Sequence, residues 1–134
     1  MTIIHKVNKP YGVIFEYLTD MQKFVQVHPV IYKIDPISDN QYLFFETLRI
    51  GLIPWSFSYP GTIEGSDDAK KVVMQATVMQ MTKIEMTFNM EPEGDFTIIN
   101  EVITFKSPLP VKFLMENIFK KQHAQLFENI EKQS

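Results

Sequence analysis

Chemistry in this chain of 134 residues would have to come from scattered groups, because no recognisable catalytic motif gathers them. The three histidines are His5, His28 and His123, and none stands at metal-ligand spacing from another histidine or a carboxylate. No metal site is expected. There is no Gly-x-Ser-x-Gly elbow, glycine-rich phosphate loop or dinucleotide fingerprint, so no cofactor is implied. Cysteine is absent, which removes disulfides, thiolate metal sites and a cysteine nucleophile. Polar residues inside apolar runs carry more information. Glu46 lies in Tyr-Leu-Phe-Phe-Glu-Thr-Leu-Arg-Ile, with Arg49 on the opposite strand face. Asn100 and Glu101 interrupt Phe-Thr-Ile-Ile-Asn-Glu-Val-Ile-Thr-Phe. A carboxylate facing a dry cavity would have a raised pKa and could act as acid or base. Carboxylates more often face solvent, so Glu46 and Glu101 are expected on the convex side of a sheet. Asn100 would then face inward as a hydrogen-bonding anchor, a part Tyr32, Tyr42 or Tyr59 could equally play. No catalytic residue is assigned.

The elements that must position these groups follow from periodicity. Thr2–Val7 is β-branched and reads as a strand. Asn8 is the expected N-cap of a helix over Tyr11–Thr19, with Val13, Ile14, Tyr17 and Leu18 on its apolar face. Thr19 and Asp20 cap a second short helix through Phe24 and Val25, which His28-Pro29 ends. Six strands are then expected at Ile31–Ile37, Gln41–Ile50, Trp55–Glu64, Val72–Met81, Ile84–Glu91 and Phe96–Phe105. Turn residues separate all but one pair. Between Met81 and Ile84 no Gly or Pro marks a break, and the turn is placed at Gln80 and Thr82. Hairpin-length connections make the seven strands antiparallel.

Ser107-Pro108-Leu109-Pro110 launches a closing helix, Val111–Lys132, about 33 Å long. Val111, Leu114, Met115, Ile118, Phe119, Leu126 and Ile130 form its broad apolar stripe, with Asn117, Lys120, Lys121, Glu128 and Glu131 opposite. Strand alternation is one-sided: Ile84, Met86, Phe88 and Met90 share one face, as do Trp55, Phe57, Tyr59 and Ile63. Such a sheet needs a cover, and the last helix is the long one available. The class is therefore α+β in one domain, 1–134. Six of the eight methionines (Met74, Met79, Met81, Met86, Met90 and Met115) fall in the sheet or the closing helix, and thioethers adapt to irregular guests.

The stretch from Val7 to Asp20, followed by Phe24 and His28-Pro29, resembles the opening of the START / Bet v 1-like (SRPBCC) superfamily. Its polyketide cyclase/dehydrase and lipid-transport group is the nearest part. Thr97–Phe105, Ser107–Pro110 and the long helix carry the second half of the resemblance, which covers essentially the whole chain. It implies a helix-grip fold, in which a curved seven-stranded antiparallel sheet with two short helices after its first strand grips the C-terminal helix around an apolar cavity. Members bind lipids, quinones, polyketides or hormones, and some cyclise or dehydrate their ligands. The family has no shared catalytic motif to carry over.

Binding or transport of a small hydrophobic molecule is the leading expectation, without a reaction. Phe57, Tyr59, Met74, Met86, Phe88, Met115, Ile118 and Phe119 are the expected cavity lining, with Tyr59 or Asn100 as anchor. The mouth is expected near Gly51–Pro54 or Ser107–Pro110. A cyclase or dehydratase would need at least two convergent polar groups with perturbed pKa values. An interaction module would use Phe113 and Phe127, off the main stripe, or Leu43 and Phe45, to meet a partner or form a homodimer. With net charge −3, 45% hydrophobic residues and no basic stretch, a soluble globular chain that does not bind nucleic acid is expected. No run suits a signal peptide or a transmembrane helix, so a cytoplasmic location is the default.

Overall fold

The strands bury their apolar parity against α-helices on one side of a single antiparallel sheet. The computed structural model describes residues 1–134, apart from the side chain of Ile50. The elements run β1 (Thr2–Val7), α1 (Tyr11–Thr19), α2 (Met21–Val27), β2 (Ile31–Ser38), β3 (Gln41–Ile50), β4 (Ile53–Ser66), β5 (Lys71–Val78), β6 (Thr82–Glu93), β7 (Phe96–Lys106) and α3 (Lys112–Glu131). Spatial order in the sheet is β1-β7-β6-β5-β4-β3-β2, so every neighbour is a hairpin partner except the first strand, which pairs with the last. This is the expected α+β architecture of a curved sheet, two short helices after its first strand, and a long closing helix.

Local chemistry explains most boundaries. Asp20 ends α1 and caps α2, its side chain accepting from the backbone N–H groups of Gln22 (3.0 Å) and Lys23 (3.3 Å). Asn8 is not the N-cap of α1. Pro10 holds that position without a side-chain cap, and the Asn8 N–H donates to Glu131 on α3 at 2.7 Å. The β5–β6 turn also differs from expectation: β5 stops at Val78, and Met79 and Gln80 form the turn, both with positive φ (56° and 62°). Together with Met81 they form a three-residue loop between the paired residues Val78 and Thr82, and the Met81 N–H donates to the Val78 carbonyl at 3.3 Å. Its sequence carries none of the usual Asn-Gly signature, so composition concealed it.

β4 outruns its neighbour. Its pairing with β5 covers Gly61 to Ser66, while its pairing with β3 continues to Ile53. The β3–β4 hairpin therefore projects beyond the β5–β6 turn, and Pro54 and Pro60 sit where no β5 partner needs their missing N–H.

The core joins Ile14 and Leu18 of α1, Phe24 and Val27 of α2, Val72, Phe88 and Ile99 of the sheet, and Leu126, Phe127 and Ile130 of α3. Phe127 thus belongs to the core, not to an exposed face, because the C-terminal half of α3 is gripped from several sides. The outward positions Asn117, Lys120, Lys121, Glu128 and Glu131 are exposed as expected. No helix among the described residues is long and apolar enough to cross a membrane.

Candidate functional site

Between the concave face of the sheet and α3 lies a cavity of about 330 Å³. That volume is at the small end of the range for small-molecule sites. Strand parity sends Phe57 and Tyr59 of β4, Met74 of β5, and Met86 and Phe88 of β6 to its wall. Met115, Ile118 and Phe119 of α3 close the other side. Met79, Met81 and Leu109 also reach it, from the loops around its open end, whereas Met90 is buried in the core beyond it.

Asn100 is elsewhere. Ile99, Glu101 and Ile103 are fully buried, so the alternation of β7 turns Asn100 to the outer face, where its carbonyl accepts from Asn89 (3.4 Å). The parity expected for Glu101 is reversed with it: the carboxylate points inward. Glu46 also points inward, buried beside the cavity, while Arg49 is exposed on the other face.

The polar groups converge at the inner end. Tyr59 donates its hydroxyl to Glu46 Oε1 at 2.8 Å, and the Tyr59 ring stacks on Phe44 with centroids 5.5 Å apart. Burial pushes the Glu46 carboxyl up, and its hydrogen bond from Tyr59 and the charge of His123 only partly offset this. Burial also raises Tyr59 well above its ordinary value, as does the neighbouring Glu46 charge. The Tyr59 hydrogen bond engages Oε1 of Glu46, whose side chain lines the cavity. Gln122 lines the same wall.

Behind them sits a buried group drawn from the first strand, the last strand and the last helix. Glu101 Oε1 accepts from His5 Nε2 at 2.9 Å, and Glu101 Oε2 accepts from His123 Nδ1. Burial alone would raise Glu101; the hydrogen bonds and charges of His123 and then His5 outweigh it and hold the carboxyl below the usual range. An ionised carboxylate only accepts, so each imidazole presents an N–H to it. The His123 ring lies on the cavity wall. His28, on the same wall, accepts at Nδ1 from the N–H groups of Val30 (3.2 Å) and Ile31 (3.0 Å). Burial and the nearby His123 lower its pKa to about 3, so it is neutral. Among the described residues no group of histidines and carboxylates could hold a metal ion.

Glu46 and Glu101, expected on the convex side, are both buried inward, and sequence alone did not point to Gln122 or to the bonding of His5 and His123 to the same carboxylate. Only the adjacency of β1 and β7 brings the two histidines to one carboxylate.

No family model matches this sequence, and no curated protein matches it. Solved structures do match the fold. BexL, a di-domain ARO/CYC from the BE-7585A biosynthetic pathway, aligns with TM-score 0.82 at 12% identity, over 98% of this chain and 46% of that one. Norcoclaurine synthase from Thalictrum flavum aligns with TM-score 0.70 at 18% identity, covering 98% and 84%. Ara h 8.0201 aligns with TM-score 0.70 at 15% identity, covering 98% and 95%. The fold these structures share with the chain is the helix-grip. At these identities the likeness concerns architecture, and within this helix-grip the chemistry has to be argued from the chain's own residues.

Proposed function

We propose that the chain, as one domain, binds a small hydrophobic molecule between its sheet and α3. The observation that carries this is a largely apolar cavity of about 330 Å³ whose wall includes the polar side chains of Glu46, Tyr59, Gln122 and His123. A guest of this kind has a hydrocarbon body against Phe57, Met74, Met86 and Phe119. It has one hydroxyl or carbonyl that meets Glu46, Tyr59 or Gln122. The half-buried thioethers let the wall adapt to the guest's outline.

Native mass spectrometry of gently purified protein tests for a co-purifying apolar molecule, and a neutral fluorescent naphthylamine tests uptake directly. Trp55, the one tryptophan of the chain, lines the cavity and reports filling by its emission. Met115→Arg, which puts a charge on the wall, should weaken uptake by about tenfold or more while the melting midpoint holds. Uptake that Met115→Arg leaves unchanged would refute the cavity as the binding site.

A second reading has its own observation. His123 is oriented by Glu101, and the Glu46–Tyr59 pair lies at the same end of the cavity, so a base and an acid face one guest. A cyclase or dehydratase could use them, with His123 Nε2 taking a proton from a carbon next to a carbonyl. The carbonyl oxygen would take a proton or hydrogen bond from Glu46 or Tyr59. One of the fold's relatives is an ARO/CYC and another a synthase, which keeps this reading open to assay. Its check is turnover of a poly-β-keto substrate followed by mass, with His123→Gln losing turnover but retaining probe uptake. No product from the wild-type protein would remove it.

A further inference from the structure

The open end of the cavity differs from the rest of the surface in both apolar and charged residues. Of the twelve large apolar side chains exposed among the described residues, eight lie around this opening. Leu52 and Ile53 at the β3–β4 tip are 95% and 72% exposed, and Phe113 and Leu114 in the first turn of α3 are 79% and 57% exposed. Trp55, on the projecting hairpin between them, is half exposed. An apolar rim of this extent on a free surface marks a docking site.

Charge narrows what docks. The segments around the opening, 48–55, 79–83 and 106–116, contain Arg49, Lys83, Lys106 and Lys112 but one acid, Glu116. The whole chain carries 13 basic and 16 acidic residues, so the basic excess here reverses the sign of the rest. A second copy meeting this face through a two-fold axis would set Arg49 and Lys112 against like charges. An anionic lipid surface satisfies both features at once: apolar tips enter the headgroup boundary, tryptophan sits at the interface, and flanking cations meet phosphates.

We propose that the cavity mouth docks on an anionic bilayer surface through Leu52, Ile53, Trp55, Phe113 and Leu114, with Arg49 and Lys112 on the lipid phosphates. The attachment is peripheral, since no described helix could span a bilayer. It rests on the exposed rim and does not depend on what fills the cavity, so vesicle binding and probe uptake can fail separately.

The test is co-sedimentation of the full chain with vesicles of phosphatidylcholine, alone or mixed with phosphatidylglycerol. Binding to the mixed vesicles should exceed binding to phosphatidylcholine by about tenfold or more and fall with added salt. Trp55 emission should shift to the blue and be quenched by acyl-brominated lipid. The double variants Leu52→Glu with Phe113→Glu, and Arg49→Glu with Lys112→Glu, should each lower binding by about tenfold or more. Their altered side chains are exposed, so circular dichroism and the melting midpoint should match wild type. Failure of the wild-type protein to sediment with mixed vesicles would overturn the proposal. So would variants that sediment equally, or a dimer in solution that Phe113→Glu dissolves, which would assign the face to a second copy.

Discussion

The two halves of α3 share one helix and have opposite fates. From Gln122 onward the helix is embedded: Leu126, Phe127 and Ile130 are core, His123 is bound to Glu101, and Asn129 donates to the Val27 carbonyl of α2 at 2.8 Å. From Lys112 to Phe119 it is a wall with one side on the cavity and the other in solvent, and it starts without a side-chain cap. Burial thus anchors the helix at its C-terminal half and leaves the other half to shape the cavity. The core contacts and the cavity wall fall in different turns of the same element.

The strongest way to break this division is to unseat the anchor. Glu101→Ala leaves two buried imidazoles without their acceptor and should cost about 3–5 kcal/mol in urea unfolding. Glu101→Gln, which keeps an acceptor oxygen, should cost less. Next in size, Leu126→Ala should cost about 2–5 kcal/mol by opening the core. Leu114→Ala, on the exposed half, should stay within about 0.5 kcal/mol. Equal costs for the two leucines would abolish the distinction, and hydrogen exchange should rank the two halves in the same order.

Acid should act on the anchored end. Glu101 is held below its unfolded value, so its stabilisation is present above the unfolded carboxylate pKa and is lost as pH falls through the folded one. His28 adds to the loss. Its folded pKa is about 3 and the unfolded one near 6.5, so the unfolded state binds the extra proton between those values and stability drops as pH falls through that window. Urea midpoints from neutral pH downward should therefore decline, and His28→Asn should flatten the decline between pH 6 and 4. A midpoint that rises with acid would contradict both assignments. The smallest effect belongs to the β5–β6 turn beside the wall. Replacing Met79 and Gln80 by Asn and Gly relieves two left-handed residues and should add about 0.4–1 kcal/mol without changing the core.

Alternation made six of the strand positions legible, and three-and-four spacing did the same for the helices. The faces of β7 were not legible. Both of its parities are apolar, with Ile99 and Ile103 on one side and Ile98 and Val102 on the other, so period alone could not tell Asn100 from Glu101. Lining residues on β4 and β6 were readable because polar residues fill the opposite parity there. The His5–Glu101–His123 group left no trace in spacing, since 96 and 22 positions separate its members. Topology alone assembles it.

That topology also sets the order of events during synthesis. β1 pairs with β7 across register Thr2↔Val102 to Val7↔Thr97, so the first strand made waits for the last before its ladder can form. Until β7 emerges, Thr2–Val7 is a β-branched segment with unpaired backbone groups on both sides, the kind of strand that joins the wrong neighbour. Contacts this distant in sequence slow the closing step. The nascent chain should therefore depend more on chaperones than the finished fold's compactness suggests, and a late-folding phase should vanish in a permutant that places β1 directly after β7.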